Sequence, residues 1–241
     1  EKFSKYCLDY GADEMKDRYG DDLSSDTTNK NFYNDGKKKH KIFSTLYPVP
    51  FFGNILTAKV YILSGNPGFH TLNFIEDYEN KTMINLLKRN IKLDFLDLPF
   101  NLDKSVASTG GYNYWEPIYK KIVEELAVNS NRNFEEIKEY VYRNVAVIES
   151  VVYHSQKKPD SKLFKLPSSE LNKNFVHDYI LERVNINQAM IFIWRGASHW
   201  ELDADEENIL VRNPNAAIGT INSEEIGVIS NFLALKHQLK P

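Results

Sequence analysis

Lys59-Val60-Tyr61-Ile62-Leu63-Ser64 runs without a break into Gly65-Asn66-Pro67-Gly68-Phe69. The first six residues are short, apolar and β-branched enough to lie in a sheet covered on both faces. The next five cannot continue a strand, because Asn-Pro-Gly is turn chemistry. A strand that ends in such a loop is the first unit of an open α/β sheet. In such sheets ligands sit beyond the carboxyl ends of the strands.

The flanking sequence supplies the rest of that sheet. Before the strand, Tyr47-Pro48-Val49-Pro50-Phe51-Phe52-Gly53-Asn54 resists helix at both prolines and suits a turn at Gly53-Asn54. After it, Met83, Ile84, Leu86, Leu87 and Ile91 recur at helical spacing, as do Ile118, Ile122, Val123 and Leu126. Phe134, Ile137 and Val141 predict a further short helix. A second strand is expected over 144–152, ending at Tyr153-His154-Ser155. The helix after it is capped by Ser168 or Ser169 and buries Leu171, Phe175, Tyr179, Ile180 and Val184. A third strand over 189–194 leads to Arg195-Gly196, and a fourth over 208–211 leads to Arg212-Asn213-Pro214-Asn215. The last helix is capped by Ser223 and faces inward with Ile226, Ile229, Phe232 and Leu233. Strands separated by helices call for parallel pairing with right-handed crossovers. The expected architecture is therefore α/β, three layers (αβα) around a mostly parallel four-stranded sheet.

Composition fits that reading. The chain has 241 residues, 42% hydrophobic and 26% charged, which suits one large globular domain. Residues 1–45 are polar and rich in Asp, Asn, Lys and Tyr; they are expected to form an N-terminal extension with short helices, and 46–241 the domain proper. Lys37-Lys38-Lys39-His40-Lys41 reads as a solvated run or a phosphate contact. No apolar run reaches membrane length and no signal-peptide core stands at Glu1-Lys2-Phe3-Ser4, so a cytoplasmic, membrane-free protein is expected. The single cysteine, Cys7, excludes an internal disulfide, and the six histidines show no ligand spacing, so no metal or other cofactor is expected. A net charge of −3 leaves nucleic acid open, since a phosphate-tracking groove needs only a local cluster of cations.

Chemistry should gather where four loops converge: Gly65-Asn66-Pro67-Gly68-Phe69, Tyr153-His154-Ser155, Arg195 to Trp200, and Arg212-Asn213-Pro214-Asn215. Each is also a sound turn by itself. The order of these pieces, from about Tyr47 onward, resembles the uracil-DNA glycosylase superfamily. The first motif of that superfamily is a strand followed by Gly-x-Asn-Pro-Gly or a variant; Gly65-Asn66-Pro67-Gly68 is similar, with one residue fewer between glycine and asparagine. Asn-Pro-Gly-Phe after a strand, Tyr153-His154-Ser155 closing another, and Leu166-Pro167-Ser168 beyond it also resemble an uncharacterised bacterial branch of the superfamily.

The resemblance implies a monomeric, cofactor-free DNA glycosylase that flips a pyrimidine nucleotide out of the helix and hydrolyses its N-glycosidic bond. On that reading Asn66 orients the attacking water; its amide holds water but cannot deprotonate it, so catalysis leans on stabilising the departing base. Gly65, Pro67 and Gly68 shape the pocket, and Gly68 stands where uracil-specific members carry a tyrosine that excludes 5-substituents. Phe69 either stacks on the base or anchors its loop. Glu149 takes the place of the asparagine that reads the pyrimidine edge; it could accept from an exocyclic amine or, when protonated, donate to a carbonyl, or it could be a buried carboxylate paired with Arg195 or Arg212. Tyr153, His154 and Arg195 are expected around the base, and Ser155, Arg212, Pro214 and Asn215 against DNA, with Ile218 as an apolar wedge. The second motif of the superfamily carries a histidine that this chain lacks, leaving Arg212 or Asn213 to stabilise the leaving group. Tyr112, Tyr114 and Trp115 either line the pocket or staple their helix. Lys157 and Lys158 leave amine chemistry open beside hydrolysis. The setting implied is repair, or defence against phage DNA with modified cytosines. The rival reading is a catalytically silent module that holds a base, a nucleotide or a protein.

Overall fold

The structure, a computed structural model, describes residues 42, 47–69, 80–94, 98–128, 130, 132–202, 207–213 and 220–236. It is an α/β architecture around a mixed, mostly parallel sheet. The strands are β1 (Phe51–Phe52), β2 (Val60–Ser64), β3 (Val145–Glu149), β4 (Met190–Ile193) and β5 (Ile209–Val211), in the spatial order β1-β3-β2-β4-β5. The four expected strands are all present and mutually parallel where they pair.

The expectation of four strands is corrected to five. Phe51 and Phe52 pair antiparallel with Ile148 and Val147, covering the outer edge of β3. Two residues are too few to show an alternating pattern, and Pro50 beside them reads as a break, although proline is tolerated at a sheet edge. Gly53 ends this strand at φ +85° with its α-carbon pressed against the next strand: an added Cβ would sit 2.8 Å from the Val145 carbonyl oxygen. Only glycine fits that turn.

Alternation along each strand sends side chains to two separate cores. Val60, Ile62, Val145, Val147, Met190 and Phe192 face one side, covered by α1 (Lys81–Ile91), α2 (Gly110–Val128), α3 (Phe134–Asn144) and α7 (Ser223–Lys236). Tyr61, Leu63, Ala146, Ile148, Ile191 and Ile193 face the other, where α4 (Pro167–Phe175), a π turn over Val176–Ile180, α5 (Leu181–Asn185) and α6 (Ala197–Trp200) pack. Two helical layers on one sheet agree with the expected three layers. The chain moves outward from β2 to β3 beneath the first layer and back across β2 to β4 beneath the second. Changing face when the direction reverses keeps both crossovers of one hand. That reversal makes the ends of β2 and β4 the switch point of the sheet.

Helix ends follow local polar chemistry, in two places not as expected. Asn80 caps α1 by accepting from Met83 N at 3.1 Å, and Asn133 caps α3 by accepting from Glu135 N at 2.9 Å. The last helix is capped by Asn222 rather than Ser223: Asn222 Oδ1 accepts from Glu225 N at 2.8 Å while Glu225 Oε2 accepts from Asn222 N at 2.9 Å. This reciprocal pair satisfies two orphan N–H groups, which a lone serine cannot. Helix α4 starts at Pro167 after Leu166, so Ser168 and Ser169 lie inside it, fully buried, and do not cap it. Apart from Ile42, the expected extension over 1–45 lies outside the described residues. Ile42 is fully buried and bridges to Ser155. Among the described residues no helix is long and apolar enough to cross a membrane.

Candidate functional site

A cleft of about 350 Å³ opens beyond the carboxyl ends of β2, β3 and β4 on the side of α1 and α2. That is a common size for a small-molecule site. Its walls are largely apolar: Tyr47, Phe52, Met83, Leu87, Phe100 and Trp115 among others. Its polar groups are few and come from separate elements. Ser64 and Asn66 follow or close β2, Glu149 closes β3, Arg195 follows β4, and Asn101 precedes α2.

The loop after β2 is held by the neighbouring strand. Val151 N donates to Gly65 O at 2.9 Å, the Ser150 hydroxyl donates to the same oxygen at 2.6 Å, and Ser155 N donates to Pro67 O at 3.3 Å. These bonds fix where Asn66 points. Its Nδ2 donates to Pro67 O at 2.8 Å and to Ser155 Oγ at 2.9 Å. A carbonyl only accepts, so the Pro67 contact settles which end of the amide is nitrogen. The Ser155 hydroxyl in turn donates to Lys157 O, which leaves its oxygen to accept from Asn66. Both donor bonds of Asn66 are thus spent on its own scaffold, and Oδ1, with no partner among the described residues, is the end left for a ligand or water.

Glu149 sits across the parallel register from Ser64 and is only 2% exposed. Burial pushes its carboxyl up to about 7, opposed by a hydrogen bond from Ser64 and by the positive charge of Arg195. The other oxygen, Oε2, is buried with no hydrogen-bond partner among the described residues. An unpaired buried carboxyl is costly, so such groups mark sites that await a ligand more often than ordinary core positions. Arg195 is oriented rather than loose: its Nη2 donates to the Tyr114 hydroxyl at 3.2 Å and its guanidinium lies 4.8 Å from the Trp194 ring centroid. Tyr114 stacks on Trp194 at 6.0 Å, and Trp115 meets both Trp194 and Phe52 edge-on at 5.2 and 4.8 Å. The open question over Tyr112, Tyr114 and Trp115 thus divides: Tyr114 and Trp115 line the cleft and Tyr112 does not.

The structure gathers Asn66, Pro67, Gly68, Phe69, Glu149, His154 and Arg195 around one cleft. Gly65 lies immediately behind it, where a Cβ would meet only the Arg195 side chain at 3.6 Å. Gly68 is exposed, with open space where a side chain would project. His154 lines the cleft, yet its two ring nitrogens face Gly68 O at 2.9 Å and Tyr47 O at 3.2 Å. Burial holds its imidazole below the ordinary value; the neutral ring carries one N–H and donates to one of these two carbonyls, so that bond is made within the scaffold.

Other expected positions fall elsewhere. Tyr153 is 1% exposed in the core beneath α1 and α2, not against the cleft. Ser155, expected against DNA, is equally buried and acts on Asn66. Arg212 reaches Thr220 O at 2.7 Å and lies 3.8 Å from Glu225, where it bonds the start of α7 to β5. Arg195 acts on Glu149 through its positive charge. Asn213 is exposed and outside the cleft lining, and Pro214, Asn215 and Ile218 lie outside the described residues. Lys157 and Lys158 do not line the cleft.

Four residues of the cleft, Ser64, Asn101, Gly110 and Gly111, were not marked as site residues by the sequence. Ser64 is the last residue of a strand, and its role emerges only from the β2–β3 register. Asn101, 3% exposed and with Oδ1 unpartnered among the described residues, stands in a single 3-10 turn without motif or periodicity. Gly110 and Gly111 belong to the first turn of α2, whose Tyr112 N is capped by Thr109 Oγ1 at 3.3 Å. The first turn of this helix therefore borders the cleft with its positive end. Among the described residues no group of His, Cys, Asp or Glu is arranged to hold a metal ion.

No protein-family model matches the chain. Neither a curated protein nor a solved structure matches it. The site must be interpreted from its own geometry.

Proposed function

We propose that the chain is an N-glycosidase of the uracil-DNA glycosylase kind, hydrolysing the bond between deoxyribose and a flipped pyrimidine. The observation that carries this reading is the Asn66 amide at the cleft, whose nitrogen is fixed by Pro67 and Ser155 and leaves Oδ1 for a ligand, beside a carboxyl raised by burial.

The chemistry needs little else from the protein. The bond from C1′ to the base nitrogen breaks with its electrons leaving on the base, and a water oxygen adds to C1′. Asn66 Oδ1 accepts a hydrogen bond from that water and aims its lone pair, while the water's proton passes to solvent or to the base. Charge building on the base is met by the Arg195 guanidinium and the first turn of α2, both already oriented. Aromatic walls at Phe52, Tyr114 and Trp115 offer the π surfaces on which an extruded base is held. Glu149 meets its polar edge.

The test is incubation with duplexes bearing uracil, thymine mismatches or 5-substituted cytosines, followed by alkali to cut abasic sites. Strand cleavage by the wild type that Asn66→Ala abolishes supports the reading. A second reading, a silent base-binding module, is favoured by the exposed position of Asn213 outside the cleft. Base-specific binding without cleavage on every duplex would select it; neither binding nor cleavage would remove both.

A further inference from the structure

We infer that the cleft selects a base carrying an exocyclic amine, of the cytosine type, over the corresponding uracil or thymine, and that Glu149 Oε2 is the group that distinguishes them. This rests on the reading of the cleft as a site for a flipped pyrimidine. It goes further in naming which hydrogen-bonding edge that pyrimidine presents.

The Glu149 carboxyl leaves hydrogen-bonding capacity unfilled. One oxygen takes the Ser64 hydroxyl, so the charged or proton-bearing position left for a ligand is Oε2. It is buried on a residue that lines the cleft, and no described residue supplies it a donor. When ionised, Oε2 only accepts. A 4-amino group donates to it, whereas a 4-carbonyl sets two acceptors against each other. When protonated, Oε2 donates to the carbonyl, and the preference disappears.

The neighbours bias the carboxyl toward the ionised form. Arg195 after β4 and the Ser64 hydroxyl on β2 both favour the anion, but burial outweighs them and holds the carboxyl up at about 7, so the anion prevails above neutral pH. From α2 the titratable group is Tyr114, whose hydroxyl is engaged by Arg195 and whose own ionisation is pushed up by burial. From α4 the contact is the neutral Asn172 amide, donating to Glu149 O at 2.7 Å. From the segment before β1 it is the Pro50 carbonyl, which accepts from Glu149 N at 2.9 Å. An amine bound at Oε2 adds one more donor and lowers the proton affinity further. Asn101 does not decide the matter. Its Oδ1 has no partner among the described residues, but an amide can turn end for end and serve either base.

5-Methylcytosine and thymine test this directly, because they share size and 5-methyl group and differ at the 4-amine or 4-carbonyl. Each is placed singly in an oligomer otherwise made of base-free tetrahydrofuran units, and binding is measured by fluorescence anisotropy with wild type and Glu149→Gln. At about pH 8 the wild type is expected to prefer 5-methylcytosine by about tenfold or more, the worth of one hydrogen bond to a charged group. The preference should shrink toward parity at about pH 6 as the carboxyl takes its proton. Glu149→Gln, neutral and able to donate or accept, should abolish the pH dependence. Equal binding of both oligomers at every pH, or tighter binding of thymine at the higher pH, overturns the proposal while leaving the base-binding cleft intact. Failure of both oligomers to bind better than the wholly base-free one overturns the cleft reading and this inference together. The wild-type pH profile stands alone as a test should the variant not fold.

Discussion

Replacing Glu149 by glutamine should make the protein more stable, and only above a definite pH. The carboxyl has an ordinary value of 4.5 and is raised to about 7 in the folded chain, chiefly by burial. A raised value means that the folded state holds the proton more tightly than the unfolded state. The stability associated with it is complete below 4.5 and is lost as pH rises through about 7. Each pH unit in that window is worth about 1.4 kcal/mol, so the carboxylate costs the fold roughly 3 kcal/mol at alkaline pH. Glutamine keeps the shape and can still accept from Ser64, but it has no charge to desolvate. Urea unfolding of wild type and Glu149→Gln at about pH 5 and about pH 8 measures the difference by linear extrapolation. Titration of every other group is common to both proteins and cancels. The glutamine variant should gain about 2 to 3 kcal/mol on the wild type between the two conditions. A difference that stays flat, or one that falls with rising pH, would refute the claim that burial raises this carboxyl.

Three further outcomes follow from contacts around the cleft. Ser155→Ala removes the acceptor that holds Asn66 Nδ2 at 2.9 Å; it should cost about 1 to 3 kcal/mol in thermal or urea unfolding and lower the rate of the proposed base release about tenfold, with little change in base affinity. Arg195→Gln takes away the cation that holds the Glu149 carboxyl down, so the midpoint of its titration, followed by carboxyl-labelled NMR, should move to higher pH, while Arg195→Lys should move it much less. His199 is buried against Phe164, and its imidazole is pushed down to about 4 by burial and by Lys173. Its value is lowered, so the stability it carries is present above 6.5 and is lost as pH falls toward 4. His199→Phe should therefore lose less stability than the wild type on acidification across that window, as read from melting temperatures.

The parts of this fold that were legible in the sequence are those where one residue type repeats at a fixed spacing. The strands Val60–Ser64, Val145–Glu149 and Met190–Ile193 are buried on both faces and so are apolar throughout. Short strand-to-loop junctions placed Asn66, Glu149 and Arg195 at one edge because parallel strands must end there together. The two-residue strand Phe51–Phe52 left no period to detect. Tyr153 and Ser155 were misplaced for a related reason: beyond the end of β3 the chain no longer alternates, so which side chain turns inward depends on pairing with Gly68 and Ile42. Asn101 owes its position to tertiary packing alone. Asn213 illustrates the opposite error, in which a sound turn sequence was given a partner in the cleft that the fold does not bring to it.

The central claim is that the Asn66 side-chain oxygen directs water onto the sugar carbon of a base held in this cleft. The most direct measurement is mass-spectrometric detection of the free base, under single-turnover conditions, released from oligonucleotides that each carry one uracil, thymine, cytosine or 5-substituted cytosine. The account predicts one free base and an equal amount of abasic strand with wild-type protein, and neither with Asn66→Ala of unchanged fold and base affinity. Release that continues undiminished in Asn66→Ala, or no free base from any oligonucleotide that the wild type binds, would contradict it.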